Sequence, residues 1–369
     1  MCSKDLGFQV DFFYEEEEDL EDRIKEEKGQ RPSAVITAAD RNLEEEDAFL
    51  DGYKMARNLV QHSPEVKKPD KKKELKVGVA LYHASDSFLK ELMENIEVKF
   101  KEAQEEKGVR ILVAMEDARG DQQTQDKQIQ YLMDQDCDVI VVNAVDPWSA
   151  SGIIHRVKER QIPVIFINRE PADEDIALWD QVYYIGTDGS DLGALQGEMA
   201  ADAFLDEDLL MDRNMDGTLQ YVLVEGEEGH SDSIRRTDSM YKVLKEKFPL
   251  DQIEAVSAEW DRQTAKERIL AMDEESLSET EAVLCNNDEM ALGVAEALQE
   301  AGLDSIPVFG IDGTKEAIDG IEKHTIFGTV SQNNEKQAEK IVELVWHLWT
   351  GDVPETPHKL YIPGEKVID

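Results

Sequence analysis

The run VGVALY at residues 77–82 begins a series of apolar, β-branched segments that decides the fold of this chain. The series continues with VRILVAM at 109–115, DVIVVNAV at 138–145 and IPVIFIN at 162–168. Segments with the apolar spacing of amphipathic helices lie between these runs, at 88–106, 122–136 and 149–160. Apolar strands that alternate with helices are typical of a parallel sheet covered on both faces. The pattern therefore predicts an α/β fold.

A second series of the same kind follows further along the chain. Its strand-like runs are LQYVLVEG at 219–226, EAVSAEW at 254–260, EAVLCNN at 281–287 and IPVFGID at 306–312, separated by helical segments at 233–248, 264–272 and 289–301. Two series predict two doubly wound, Rossmann-like lobes. We interpret YYIGTD (183–188) and FGTVSQ (327–332) as places where the chain passes between them. In such folds ligands bind beyond the carboxyl ends of the strands.

The overall charge narrows the classes of partner. Among 369 residues, 40 Lys and Arg stand against 82 Asp and Glu, and 40 − 82 gives a net charge of −42. A field of this sign repels phosphate backbones and anionic lipid, so we expect no nucleic-acid partner. No apolar run approaches the ~20 residues of a membrane span. Acidic runs at 15–19 and 44–47 favour a solvated N-terminal extension, to which we assign no chemistry.

The three cysteines divide into two kinds. Cys137 and Cys285 stand in strand-like runs and are predicted to be buried thiols, with neither a disulfide framework nor a metal-binding spacing. Cys2 directly follows the initiator Met, and no signal-peptide pattern is present. Two interpretations remain open: a cytoplasmic protein, or a chain cut at a bacterial lipoprotein cleavage site with Cys2 as the lipid-bearing residue.

Polar and aromatic residues stand at nearly every predicted strand end. These positions are Tyr82, Asp86 and Phe88, then Asn168, then His230, Asp232 and Arg236, and finally Trp260, Asn287 and Asp312. Sugars need this mixture, because hydroxyls bridge donors and acceptors while the apolar ring face stacks on an aromatic side chain. Taken singly, each residue is more simply a turn former, a surface group or part of the core. Together they favour a carbohydrate site.

Enzymatic chemistry has little support in the sequence. No nucleophile elbow, Walker loop or G-x-G-x-x-G follows the first strand. A glycosidase carboxylate pair can be built from Asp86 with Asp232 or Asp312, but nothing local indicates a raised pKa.

The segment DRNMDGTLQ, Asp212 to Gln220, repeats the first nine positions of an EF-hand loop. Oxygen-bearing side chains stand at positions 1, 3, 5 and 9, and Gly217 stands at position 6. The position expected to hold the bidentate carboxylate is Leu223, which lies in an apolar strand. Either the loop binds no metal or a distant carboxylate completes the shell.

From residue 76 onward the chain resembles the bacterial galactose/glucose-binding proteins, which are type I periplasmic solute-binding proteins of sugar ABC transport. The resemblance covers about four fifths of the chain and is carried by motifs in order: VALYHASDSF, FINREP, YYIGTD, DRNMDGTLQ, EGEEGHSDSIRR, AEWD, VLCNND, PVFGID and FGTV. It implies two lobes joined by three crossovers. The expected division is an extension at 1–74, a first lobe at 75–187 plus 333–352, and a second lobe at 188–332 plus 353–369.

The resemblance also implies site residues. Phe88 and Trp260 would sandwich one pyranose, Tyr82 would lie at the cleft edge, and hydroxyl-binding groups would be Asp86, Asn168, His230, Asp232, Arg236, Asn287 and Asp312. Gln332 stands where the family has an asparagine, so the resemblance implies sugar binding but does not fix the selectivity. Structural calcium (Ca²⁺) would be held by Asp212, Asn214, Asp216, Thr218 (through its backbone), Gln220 and the remote Glu281.

The function that the resemblance implies is capture of β-D-glucose or β-D-galactose outside the cytoplasm and delivery to an ABC transporter. The protein would be a monomer without enzymatic activity, either periplasmic or anchored to the cell surface through Cys2. The closest alternative is a sugar sensor for a chemoreceptor or kinase. A sugar-responsive transcription regulator would need a basic helix-turn-helix, against which the acidic extension argues, and a glycoside-processing enzyme is the last alternative.

Overall fold

The computed structural model describes residues 74–352 and 356–369. The extension up to residue 73 lies outside the described residues, and so does the predicted lipidation site Cys2. Of the helices in the described part of the chain, none is both long and apolar enough to cross a membrane.

The described residues form alternating strands and helices. The strands are β1 (Glu74–Leu81), β2 (Arg110–Asp117), β3 (Val139–Val142), β4 (Val164–Ile167), β5 (Val182–Gly186), β6 (Leu219–Glu225), β7 (Leu250–Ser257), β8 (Ala282–Cys285), β9 (Val308–Asp312), β10 (Gly328–Ser331), β11 (Lys359–Tyr361) and β12 (Glu365–Ile368). The helices are α1 (Ser87–Lys107), α2 (Gln122–Asp134), α3 (Ala150–Glu159), α4 (Asp173–Ile176), α5 (Gly189–Leu205), α6 (Ser231–Lys245), α7 (Arg262–Leu270), α8 (Glu274–Glu279), α9 (Asp288–Ala301), α10 (Lys315–Glu322) and α11 (Asn334–Thr350).

The strands form two six-stranded sheets, and each is the centre of one lobe. The first has the order β11-β5-β4-β3-β1-β2 and the second β12-β10-β9-β8-β6-β7. Neighbouring strands run parallel except at the β10–β12 pair, which is antiparallel. The strands β3, β4 and β8 are buried at every residue, because helices cover both faces. The predicted pair of doubly wound α/β lobes is thus confirmed.

Two segments interpreted as passages between the lobes are themselves strands. Most of 183–188 belongs to β5 and most of 327–332 to β10, and the chain changes lobe immediately after each. Tyr183, Tyr184 and Ile185 are buried in the first lobe, which explains why this segment pairs instead of linking. The third crossover lies between β11 and β12.

The prediction that residues 353–369 belong to the second lobe is wrong for β11. This strand pairs in parallel with β5 of the first sheet, and only β12 joins the second. Ile362 is buried in the first-lobe core and Leu360 packs against it. Three residues of strand give little periodic signal, so their partner is decided by tertiary packing.

Helix N-caps place polar side chains at the carboxyl ends of the strands. Asp86 caps α1, His230 caps α6 and Asn287 caps α9, and each accepts a hydrogen bond from a backbone N–H of its helix. Cys137 and Cys285 are buried thiols, as predicted. The predicted site residues therefore begin as structural elements of the helix termini.

Candidate ligand-binding cleft

The two lobes meet along the carboxyl ends of their sheets, and we call the region between them the cleft. Ser87 Oγ in the first lobe donates to Glu289 Oε1 in the second over 2.7 Å. The backbone N–H of Lys315 donates to Glu91 Oε1 over 2.9 Å, again from one lobe to the other. These direct contacts describe a closed arrangement of the lobes.

Arg236 on α6 is the central cation of the second-lobe side. Its side chain is 5 % exposed, and one terminal nitrogen donates to the carbonyl of Asn286 over 2.7 Å and lies 3.5 Å from Asp312 Oδ1. The guanidinium carbon lies 5.7 Å from the ring centroid of Trp260. The Nε–H of Arg236 is buried without a hydrogen-bond partner in the structure. A buried donor of this kind costs free energy unless something accepts from it.

Trp260 is held against the backbone and in a strained conformation. A Cβ placed on Gly226 would lie only 2.2 Å from the indole, so the ring packs directly on that glycine. The φ of Trp260 is +66°, which is unusual for a bulky residue, and Glu259 before it also has a positive φ. Strain of this kind is maintained at sites where surrounding contacts require one side-chain direction. Asn287 Nδ2 donates to the Trp260 carbonyl over 3.3 Å.

His230 contacts the edge of Trp260 and is electrically neutral. The ring centroids lie 5.3 Å apart with the planes at 79°. Its Nδ1 accepts from the backbone N–H of Asp232 over 3.1 Å, which assigns the proton to Nε2. Burial and the positive charge of Arg169 lower the pKa of His230 to about 3. His230 can therefore donate one hydrogen bond from Nε2 at neutral pH.

The neutral state of His230 gives a testable acid sensitivity. The folded pKa of about 3 lies below the ordinary value of 6.5, so the unfolded chain binds the proton first as pH falls. The stability that this residue contributes is complete above pH ~6.5 and is lost towards pH ~3, by at most ~1.4 kcal/mol per pH unit. We expect His230→Asn, whose amide oxygen can still cap α6, to lose less stability than wild type over this range in urea titrations. Parallel stability curves for the two proteins would contradict the assignment.

Asp312 and Gln332 join the cleft to the crossovers. Gln332 Nε2 donates to Asp312 Oδ1 over 2.6 Å, and its Oε1 accepts from Thr187 Oγ1 over 2.6 Å. Thr187 and Gln332 stand on two different crossovers, so one amide links both to a cleft carboxylate. Burial raises the pKa of Asp312 well above its ordinary value, although Arg236 opposes the rise.

The other cleft carboxylates come from both lobes. Burial raises the pKa of Asp86, opposed by its bond from the Leu89 N–H and by the charges of Arg169 and Arg236. Burial also raises the pKa of Asp232, which Arg236 opposes. Arg236 thus interacts electrostatically with Asp86 of the first lobe and with Asp232 of the second. One cation therefore faces carboxylates from both sides of the cleft.

On the first-lobe side, Asn168 is fixed by its neighbours. It has a φ of +59°, and its Oδ1 accepts from Asn143 Nδ2 over 3.0 Å. Tyr82, at the end of β1, lies under the guanidinium of Arg169, whose central carbon is 3.8 Å from the tyrosine ring centroid. Burial raises the pKa of Tyr82, so its hydroxyl stays protonated.

Phe88 differs from the other predicted residues. It is 4 % exposed and packs with the apolar core of the first lobe, in the first turn of α1. The structure thus brings the other predicted sugar-binding residues into one hydrogen-bonded and electrostatic cluster. The stacking role of Phe88 stays a prediction.

Two further residues belong to the cleft and are not among the predicted site residues. Arg169 stacks on Tyr82 and bonds to the carbonyl of Val145 over 2.7 Å. Asn143 is fully buried, with its Oδ1 accepting from the Tyr82 N–H over 3.1 Å. Both follow strands directly, Arg169 two residues after β4 and Asn143 one residue after β3, so their position at strand ends was the available signal.

Comparison with known proteins identifies the family of this chain. The periplasmic binding protein domain family matches residues 77–352. A D-galactose/methyl-galactoside binding periplasmic protein of Haemophilus influenzae is 33 % identical over 278 residues, which are 75 % of this chain and 82 % of that protein. The chain belongs to the periplasmic binding protein family. The resemblance inferred from the ordered motifs is therefore confirmed.

Other members of the family bind different ligands. A ribose import binding protein of Bacillus subtilis is 28 % identical and covers 72 % of this chain and 78 % of its own length. A solved solute-binding protein of Bacillus halodurans with bound myo-inositol is 26 % identical, with a TM-score of 0.65 over 80 % of this chain and 94 % of that one. A structure from Actinobacillus succinogenes with bound D-allose is 18 % identical with a TM-score of 0.68 over 80 % and 97 %, and shows the fold alone.

The predicted calcium loop of this binding protein has an organised backbone. Asp212 accepts from the N–H groups of Asp216 and Gly217, and Asp216 accepts from the N–H of Thr218 over 2.7 Å. The remote Glu281 reaches the same loop, with its Oε1 accepting from the Arg213 N–H over 2.7 Å. Glu281 thus lies within reach of the loop, although it is distant in sequence.

The loop offers the type of donor atom that calcium prefers. The present hydrogen bonds of its amide side chains, however, do not suit ligation. Carboxylate, amide and carbonyl oxygens are what Ca²⁺ prefers. In the described residues, however, no three His, Cys, Asp or Glu side chains are grouped so as to hold a metal by themselves. The amide nitrogens of Asn214 and Gln220 both donate to Asp216 Oδ2 over 3.1 Å. Ligation would require both amides to turn their oxygens inward.

Proposed function

We propose that this binding protein captures D-glucose or D-galactose in the cleft and delivers it to an ABC transporter on the outer side of the cytoplasmic membrane. The observation that carries the proposal is the buried, unpartnered Nε–H of Arg236 between Trp260 and Asp312. A hydroxyl oxygen is a suitable acceptor for this donor, and the same hydroxyl can donate to Asp312.

The remaining groups of the cleft match a polyhydroxylated ring. Donors are available from the His230 Nε2–H and the Arg236 Nε–H, and acceptors from Asp86, Asp232 and Asp312. Charge-assisted hydrogen bonds in a site that excludes water are stronger than neutral ones. An aromatic face at Trp260 supplies the apolar contact that a pyranose ring needs.

The choice of hexose rests on the relatives together with this donor set. The named relatives bind galactose and methyl-galactoside or ribose, and a solved relative holds myo-inositol, so their common ligand class is a small polyol. Gln332 is engaged by Thr187 and Asp312. We infer that it orients Asp312 and thereby affects which hydroxyl pattern is preferred.

We further propose that the protein is a monomeric receptor without enzymatic activity, since its relatives are named as binding proteins. Incubation with nitrophenyl glucosides and galactosides is expected to release no nitrophenol, and turnover would contradict this. A lipid anchor at Cys2 is part of the same proposal. The intact mass of protein isolated from its native membrane would test it, and an unmodified cysteine would overturn it.

A structural calcium ion in the 212–220 loop is also proposed. The support is the all-oxygen donor set of Asp212, Asn214, Asp216, the Thr218 carbonyl and Gln220, together with the approach of Glu281. When bound, the ion would fix the loop between α5 and β6 and would take no part in sugar recognition.

Titration calorimetry with glucose, galactose, ribose, arabinose, xylose and myo-inositol tests the proposed function. We expect the two hexoses to bind most tightly. Trp260→Ala should weaken their binding by roughly 1–3 kcal/mol, because the stacked apolar area is lost.

Trp148→Ala is the matched control for this variant. Trp148 is 82 % exposed and lies in the short turn after β3, so its removal should leave the affinity unchanged. Equal losses for the two variants would contradict the role of Trp260. Absence of binding to every compound would remove the sugar assignment.

A further inference from the structure

Two ion pairs of opposite orientation connect the lobes beside the cleft. Arg169 of the first lobe lies 3.1 Å from Glu227 of the second, and Glu170 of the first lies 2.5 Å from Arg235 of the second. We call these four residues the clasp. In each pair the first-lobe side chain is 5 % exposed and the second-lobe side chain 41 % exposed. Each lobe thus contributes one cation and one anion.

The first-lobe halves of the clasp are fixed within their own lobe. The other oxygen of Glu170 accepts from Lys359 Nζ over 2.7 Å and from the Tyr361 hydroxyl, both on β11. Burial alone would raise the pKa of Glu170, but the hydrogen bonds from Lys359, Tyr361 and Arg235 together lower it. Glu170 is therefore a charged acceptor at neutral pH, held by donors from both lobes.

The second-lobe residues of the clasp lie on or just before α6, the helix that carries the proposed ligand-binding residues Asp232 and Arg236. Arg235 precedes Arg236 on α6, and Glu227 lies in the loop that leads to the N-cap His230. A contact from either residue to the first lobe therefore holds the beginning of α6 against the loop after β4. This is the position at which Asp232 and Arg236 enter the cleft.

We propose that the clasp sets how tightly the protein holds its ligand, with Glu227 and Arg235 acting as positioning residues that stabilise the closed arrangement of the lobes. The proposal rests on the proposed function, because it takes ligand capture to proceed by closure. If an open state breaks both pairs and predominates in the absence of sugar, a loss of clasp stability lowers the closed population and raises the apparent Kd by the same factor.

The size of the effect follows from the exposure of the pairs. Fully exposed ion pairs contribute little to the stability of a contact, and buried pairs contribute more. Replacing the second-lobe residue of a clasp pair would leave the buried first-lobe residue without its ion-pair partner. We expect Arg235→Gln and Glu227→Gln each to raise the Kd for D-glucose about five- to thirtyfold. The increase should appear mainly in the dissociation rate.

The experiment compares these variants by calorimetry and by stopped-flow tryptophan fluorescence with D-glucose. Arg156→Gln is the matched control, since it removes a 2.5 Å pair with Asp126 in which both partners belong to the first lobe. The control should leave the Kd unchanged. Arg235→Lys keeps the charge and should recover part of the lost affinity. Melting of the sugar-free proteins separates a general loss of stability from a specific loss of closure.

Three results would overturn the proposal. They are a Kd within twofold of wild type for both single variants, the same increase in the Arg156→Gln control, and an increase found only in the association rate. If wild-type protein binds no sugar, the proposed function fails and X-ray scattering decides the clasp separately. The double variant Glu227→Gln/Arg235→Gln must then have a larger radius of gyration than wild type, and equal radii would reject the clasp.

Discussion

Replacement of Arg236 by Gln is expected to weaken hexose binding by roughly 10²–10³-fold. Arg236 lies 3.5 Å from Asp312 and also opposes the raised pKa values of Asp86 and Asp232. Removing one partner of a buried charged group commonly costs about 3–5 kcal/mol, because the remaining charges lose their compensation. The variant also removes the Nε–H that we assign to a ligand hydroxyl. Calorimetry with D-glucose and D-galactose measures the loss.

Arg236→Lys provides the comparison for this variant. Lysine keeps the positive charge but lacks the forked guanidinium that bonds the Asn286 carbonyl, so an intermediate affinity is expected. Circular dichroism and melting curves establish that each variant is folded. A folded Gln variant that binds as tightly as wild type would contradict the central position of Arg236.

Removal of the proposed calcium ion is expected to lower the melting temperature by about 5–15 °C without loss of hexose affinity. An ion that binds only the folded chain stabilises it by mass action, by ~2.7 kcal/mol at a hundred times its dissociation constant and ~4.1 at a thousand times. For domains of this size, 1 kcal/mol corresponds to a few degrees. Glu281 is 2 % exposed and its carboxylate already bonds the loop backbone. Scanning calorimetry with and without a chelator measures the shift.

Glu281→Gln should lose most of this calcium-dependent increment. Glu279→Gln is the matched control, because Glu279 is an exposed residue at the end of α8, two positions before Glu281. It changes the same charge and should retain the full increment. A wild-type protein that melts at the same temperature with and without chelator would exclude a calcium site of this strength.

Much of the fold was predictable because the strands of a doubly wound sheet are buried on both faces. Each of VIVV in β3, VIFI in β4 and AVLC in β8 is a continuous apolar run, and these runs mark strands without any tertiary information. The element that was misassigned, β11, is three residues long and partly exposed. Its pairing with β5 depends on Ile362 and Leu360 packing into the first lobe, which no local pattern specifies.

The candidate site was predictable as a set of residue types but not as a network. Polar residues at strand ends could be identified because parallel strands end at one edge. The position of Gln332 between Thr187 and Asp312 could not be predicted, because Gln332 is 145 positions from Thr187 and 20 positions from Asp312 in the sequence. The same holds for Arg169 and Arg235, whose partners lie 58 and 65 positions away in the other lobe.

The sequence by itself determined the alternation of strands and helices, the acidic character and the residue types at the strand ends. These properties follow from local periodicity and composition, which each segment carries independently of the rest of the chain. Only the tertiary structure decided which lobe holds β11, that the His230 ring is neutral, and that two oppositely oriented ion pairs connect the lobes. Those outcomes depend on burial and on distances between segments far apart in the chain. Both quantities exist only once the two sheets have packed.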